Sequence, residues 1–309
     1  MRPGMPVAQY EATATRAATA DFSPIEAKQI AEIAEDRGWK SAAHDYMRSL
    51  DARAYRLAID EYSSQVRFLL PLTPASRVLL VRGGWGSVAL NVASAAGSVV
   101  AMDNRPSRLR FLAARCKESG SDMLEIVHGS LEQKLPFADG EFDAVIMLDA
   151  LEHVGLSGIA GATSWRAGTR RALAEVNRVI VLEGKLLLGV PNKLGFARPR
   201  SDEPARAQTY GGYRKSLRQA GFQETEFYAP LPSHIEPFFI LPLARPRLLG
   251  HFIQWMFTAQ DYRSKLEARG MGAAYQAAWA LWRAGRQLRL VGLVRHIVPS
   301  YLVVAGKQR

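Results

Sequence analysis

The chain has 309 residues, 48% hydrophobic and 22% charged, a balance that suits a globular fold with a full buried core. No run approaches the roughly 18 apolar residues needed to span a bilayer, and Cys116, the only cysteine, excludes an internal disulfide and suits a reducing cytoplasm. The net charge of +11 lies entirely in the C-terminal part: residues 1–190 hold 22 Lys/Arg and 22 Asp/Glu, residues 191–309 hold 18 and 7, an excess that suits an anionic substrate, a membrane surface or nucleic acid.

The opening stretch "MRPGMPVAQYEATATRAATADF" lacks the apolar core of a secretory signal and reads as a frayed tail; Glu11 and Asp21 argue against an organelle-targeting peptide. "SPIEAKQIAEIAEDRG" then sets Ser23 and Glu26 in capping-box spacing with Pro24 at the first helical position. Helical periodicity continues with interruptions to about Phe68, and "LTPAS" ends it. From Arg77 the pattern alternates. "RVLLVR" predicts a strand, "SVALNVASAAG" a helix, "SVVAMD" a strand and "PSRLRFLAARCKESG" a helix. "LEIVHG" and "EFDAVIMLD" predict strands, "SWRAGTRRALAEVNRVIV" a helix, "GKLLLGVP" a strand, "YGGYRKSLRQAG" a helix and "FQETEFYAP" a strand. Short apolar runs joined by amphipathic helices imply crossover connections and a parallel sheet covered on both faces.

Between about Pro230 and Pro299 this rhythm stops. The segment reads as an inserted helical cap, with Tyr275, Trp279 and Trp282 on one face and Arg283, Arg286 and Arg289 on another. Core packing explains each cap aromatic most simply, although together they suit a flat or sugar-like acceptor and the arginines its phosphate or carboxylate. "SYLVVAGKQR" then returns the chain to the sheet.

Ligands of such sheets bind at the carboxyl ends of the strands, where the strand order reverses. Gly84-Trp85-Gly86-Ser87-Val88-Ala89 follows the first strand and fits G-x-G-x-x-A; Asp103 closes the second strand about 20 residues on. Glycines let a backbone approach a ligand, the next helix offers free N–H groups, and the acid accepts hydrogen bonds from a ribose diol. This supports a ribose-bearing cofactor without identifying it; tight packing alone also selects such glycines.

Further motifs follow in order: "VHGSLEQKLPFADGEFDAVIMLDALEHV", "RALAEVNRVIVLEGKLLLGVPN" and "LRQAGF". Over roughly residues 60–230 the chain resembles the class I S-adenosylmethionine-dependent methyltransferases, in particular their small-molecule branch. The resemblance implies a doubly wound, mostly parallel, seven-stranded α/β sheet of Rossmann-like type whose last strand is antiparallel. An N-terminal tail and helices would occupy residues 1–70, the α/β domain 71–230 plus 299–309, and the cap 231–298. S-adenosylmethionine is the implied cofactor. Gly84, Gly86 and Asp103 match the family's binding positions, with Asn104 beside them; Ser130 and Leu131 would line the adenine pocket, and Asp149 the mouth where donor and acceptor meet.

Departures from the pattern concentrate at the turn. Leu80 and Arg82 stand where the family has an acidic residue and its first glycine, and Ser130 stands where many members have an aspartate. Arg82 could meet the cofactor's carboxylate, pair with Asp103 or Asp149, or block the pocket of a degenerate member; Trp85 could stack on the cofactor or cover the core. His153, in "LEHV", and His234, in "PLPSHIEP", are the candidate general bases for an oxygen acceptor, with Glu152 able to orient an imidazole or join a metal-assisted arrangement. No Cys/His/Asp cluster has metal-ligand spacing, so no metal is expected. The sequence thus reads as a cytoplasmic enzyme methylating a small molecule, at oxygen in preference to nitrogen or carbon. The alternatives are a non-catalytic partner protein of the same fold, or a basic cap that touches a membrane surface; no nucleic-acid-binding module is recognisable.

Overall fold

The computed structural model describes residues 22–59, 62–121, 123–154, 165–195, 206–258 and 290–308. It begins with α1 (Pro24–Arg37), whose capping box is in place: Glu26 N–H donates to Ser23 Oγ at 3.3 Å and Ser23 N–H to Glu26 Oε2 at 2.9 Å. A helical run over Trp39–Leu50, with a π-turn at Ala42–Met47, leads to α2 (Ala52–Ile59) and a 3₁₀ stretch at Tyr62–Leu69. The alternating part follows as β1 (Arg77–Val81), α3 (Ser87–Ala93), β2 (Ser98–Asp103), α4 (Pro106–Ser119), β3 (Leu124–His128), β4 (Phe142–Leu148), α5 (Trp165–Val179), β5 (Ile180–Pro191), α6 (Tyr210–Gln219) and β6 (Phe222–Pro232). The chain ends through β7 (Pro237–Pro242), α7 (Pro246–Thr258), a 3₁₀ turn at Leu290–His296 and β8 (Ser300–Lys307).

The sheet order is β3-β2-β1-β4-β5-β8-β6-β7. Strands β1 to β5 are parallel, and β8 inserts antiparallel between β5 and β6. Because β2 and β3 lie to one side of β1 and β4 to the other, the order reverses between β1 and β4, and a crevice opens at their carboxyl ends. Both faces are buried: Leu79, Val81, Met147 and Leu188 point into a core shared with Leu173 and Val176 of α5, and Val78, Leu80, Ile146 and Leu187 into one shared with Ala89 and Val92 of α3. Burial on both faces is why these strands read as unbroken apolar runs.

Two expectations change. The sheet has eight strands instead of seven, because "PFFILP" pairs with β6 as an edge strand where a helical cap was expected to begin. Ile180 and Val181 belong to β5 instead of the preceding helix; these β-branched residues favour the pleat, and Ile180 pairs with Phe142. Of the cap, α7 is described; Tyr275, Trp279, Trp282, Arg283, Arg286 and Arg289 lie outside the described residues. No helix among the described residues is long and apolar enough to cross a membrane.

A candidate cofactor and acceptor site at the β1–β4 crevice

Val81 ends β1, and Arg82 turns the chain with φ of +58°. At the neighbouring strand end Asp149 has φ of +51°. Left-handed backbone at a non-glycine residue costs about 1–3 kcal/mol and persists where the surroundings fix it, commonly at functional sites. Here the two strained residues are tied together: Arg82 Nη1 donates to the Asp149 main-chain oxygen at 3.0 Å.

Beside them lies a hollow that opens to solvent. The ends of β1 and β2 contribute Val81, Arg82, Met102, Asp103 and Asn104; the exit from β3 adds Gly129 to Glu132, and the turn after β4 adds Ala150, His153 and Val154. Gly129 packs closely there: a Cβ would sit 2.6 Å from Met102 Sδ, so a larger residue would displace that side chain. Asp103 is 2% exposed. Its Oδ1 accepts the Arg105 N–H at 2.9 Å, while Oδ2 lies 3.7 Å from Arg108 Nη1 and has no hydrogen-bond partner.

The hollow therefore gathers Arg82, Asp103, Asn104, Ser130, Leu131 and His153, six of the residues singled out from sequence. Gly84, Trp85 and Gly86 do not line it. The Trp85 ring turns the other way, edge-on to Phe22 at 5.5 Å and Phe111 at 5.2 Å between centroids, with Arg108 over it at 5.7 Å. Its side chain joins the core of the N-terminal helices instead of facing a cofactor. Gly86, with φ of +96°, is required by packing: a Cβ would come within 2.6 Å of Leu112 Cδ1 on α4. Glu132, 8% exposed, also lines the hollow and carried no sequence signal.

Next to the hollow stands a polar cluster. His153 Nε2 is 3.5 Å from Asp149 Oδ2, and the ligand-capable atoms of Asp149, Glu152 and His234 lie within 4.8 Å of one another. Both candidate bases thus reach one region, although His234 comes from the loop between β6 and β7. Sequence spacing gave no hint of this group. Burial, with the Asp149 charge added, holds the Glu152 carboxyl well above the usual carboxylate range, against the opposing pull of its own backbone hydrogen bond and Arg82. Burial alone lowers the His234 imidazole to about 4. His128 and His251 are exposed, and the His296 ring lies edge-on to Tyr210.

The His234 shift has a measurable consequence. Folded protein keeps His234 neutral down to about pH 4, whereas the unfolded chain takes up a proton below about 6.5. Its contribution to stability is therefore lost as pH falls through that window, by at most about 1.4 kcal/mol per pH unit. Urea unfolding of His234→Leu at pH 7 and pH 5 should show a smaller acid loss than wild type. Equal losses would mean the imidazole is protonated in the folded state.

The chemistry of the hollow fits an adenosyl amino acid. Asp103 offers a buried carboxylate oxygen for ribose hydroxyls, Arg82 offers a cation for a carboxylate, and Leu131 and Val154 offer apolar walls.

Residues 80–188, which run from β1 into β5, match the family model described as a methyltransferase domain. No curated protein matches the sequence. Among solved structures, a Haemonchus contortus N-methyltransferase in complex with phosphomonomethylethanolamine and S-adenosylhomocysteine is similar at 14% identity, over 90% of this chain and 59% of that one, with a TM-score of 0.51. An S-adenosylmethionine-dependent methyltransferase from Aquifex aeolicus is similar at 17% identity, over 57% of this chain and 86% of that one, with a TM-score of 0.42. The [4+2]-cyclase SpnF is similar at 18% identity, over 80% and 79%, with a TM-score of 0.49.

Proposed function

We propose that this protein, whose residues 80–188 match the family model of a methyltransferase domain, is a class I S-adenosylmethionine-dependent enzyme that methylates a small molecule at oxygen, on a sugar, a natural product or an anionic or aromatic acceptor. S-adenosylmethionine, when bound, supplies a methyl group already activated on a sulfonium, so the protein's share is alignment, exclusion of water and, for a hydroxyl acceptor, proton removal. Asp103 would hold the ribose hydroxyls, Asn104, Ser130 and Leu131 would flank the nucleoside, and Arg82 would answer the amino-acid carboxylate. His153 is the better candidate base, because it lines the hollow beside Asp149. His234 is buried, and an imidazole held near 4 is a weak base at neutral pH.

The observation that carries the reading is the buried Asp103 carboxylate at the end of β2, which lines the hollow and whose Oδ2 has the Arg108 guanidinium at 3.7 Å but no hydrogen bond. Calorimetry with S-adenosylhomocysteine and S-adenosylmethionine tests it; we expect one site per chain with micromolar affinity. Mass spectrometry of hydroxylated acceptors incubated with enzyme and donor should then show gain of one methyl group. Cofactor binding without transfer to any acceptor would favour the non-catalytic partner, and no binding of either compound would reject the enzyme reading.

A further inference from the structure

Asp149 and Glu152 come from the turn after β4, and His234 from the loop between β6 and β7. Their ligand-capable atoms lie within 4.8 Å of one another. Donors bound at about 2.1 Å to one ion stand at most about 4.2 Å apart, so small side-chain rotations would close this group on a cation.

A second observation is independent of that proximity. His234 is 4% exposed, and neither ring nitrogen has a hydrogen-bond partner. Both carboxylate oxygens of Glu152 are likewise buried, and no other side chain donates a hydrogen bond to them. Folded proteins rarely leave such atoms unsatisfied, and those they leave call for an explanation such as an ion. The backbone makes room for the imidazole: a Cβ on Gly189 would come within 3.2 Å of His234 Cδ2. Arg82 lowers the cost of charge at Glu152, but its Nη1 donates to the Asp149 main-chain oxygen and it leaves the imidazole unanswered.

We infer that Asp149, Glu152 and His234 bind a first-row divalent transition-metal ion. One imidazole with two carboxylates suits Mn²⁺, Fe²⁺, Co²⁺ or Zn²⁺, whereas Mg²⁺ and Ca²⁺ prefer oxygen ligands throughout. Three protein ligands leave coordination positions for water or an acceptor oxygen beside the hollow. Use of the ion for the acceptor rests on the methyl-transfer reading; the binding itself does not.

The experiment uses the full chain, stripped with a chelator and dialysed, then titrated with Co²⁺ alone. Visible absorption should develop to one equivalent, and calorimetry with Mn²⁺ and Zn²⁺ should give the same stoichiometry. Glu152→Gln and His234→Leu should each weaken binding by at least about 10–100-fold, the loss that even outer-shell changes cause. His234→Leu removes a buried unsatisfied group and Glu152→Gln a buried acid beside the Asp149 charge, so their metal-free melting temperatures should equal or exceed that of wild type, while metal-induced stabilisation disappears. Wild-type protein that binds none of the three ions, or variants that titrate like wild type, would overturn the site. S-adenosylhomocysteine affinity measured on the same metal-free sample separates the two readings: cofactor binding without metal binding rejects the ion alone.

Discussion

Replacing Asp103 by asparagine should lower affinity for S-adenosylhomocysteine by about 10–100-fold, the equivalent of the roughly 1.5–3 kcal/mol that hydrogen bonds to a charged group contribute. The substitution keeps the shape and leaves Oδ1 able to accept the Arg105 N–H that starts α4. It removes the charge that ribose hydroxyls would meet. Arg108, whose side chain is 5% exposed, also loses its carboxylate counter-ion. Breaking a buried pair from one side costs up to about 3–5 kcal/mol, so a lower melting temperature is expected as well. Calorimetry well below that temperature isolates the binding effect. Wild-type affinity in a folded Asp103→Asn protein would show that the nucleoside is held elsewhere.

Replacing Trp85 by alanine should destabilise the protein by about 3–5 kcal/mol, the usual cost of emptying a buried aromatic site. Most of the cluster around it comes from the N-terminal segment, including Phe22, Ile30, Ala34 and Met47; Trp85 and Phe111, with the partly buried Ala114, are what the α/β body contributes. The indole is therefore the plug that joins two parts of the molecule. Its main-chain oxygen is also held, by Arg115 Nη1 at 2.6 Å. Polar ties between the same parts, Arg110 with Glu35 and the Trp39 N–H with Glu118 Oε1 at 3.0 Å, are exposed and contribute little. Loss of the plug should free the helices first, so limited proteolysis should cut within residues 22–59 before the sheet domain unfolds. Trp85→Phe should recover most of the stability. If Trp85→Ala were as stable as wild type yet lost cofactor affinity, the ring would belong to the cofactor site after all.

Trp85 also shows where reading along the chain stops. A tryptophan between two glycines, after a strand in a nucleotide-type turn, reads equally well as a stacking platform or a core plug. The choice depends on which side of the turn the N-terminal helices occupy, and no local pattern encodes that. Gly86 makes the same point: its sequence position matches the binding motif, yet besides its positive φ what crowds a side chain there is Leu112 from α4.

Most features with a short period were legible along the chain. Apolar runs, amphipathic helices, the Ser23–Glu26 cap and the acid at the end of the second strand are local, because pleat, helical turn and capping act over a few residues. They sufficed to predict the parallel sheet, its crevice and the position of Asp103. Only the tertiary structure decided what depends on distant segments meeting. The β6–β7 hairpin replaced the start of the expected cap, Arg82 reached the Asp149 main chain, and His234 came to rest against Glu152 and Asp149. Sheet order and the packing of loops at the strand ends bring these groups together, and neither leaves a repeating mark in the order of the amino acids.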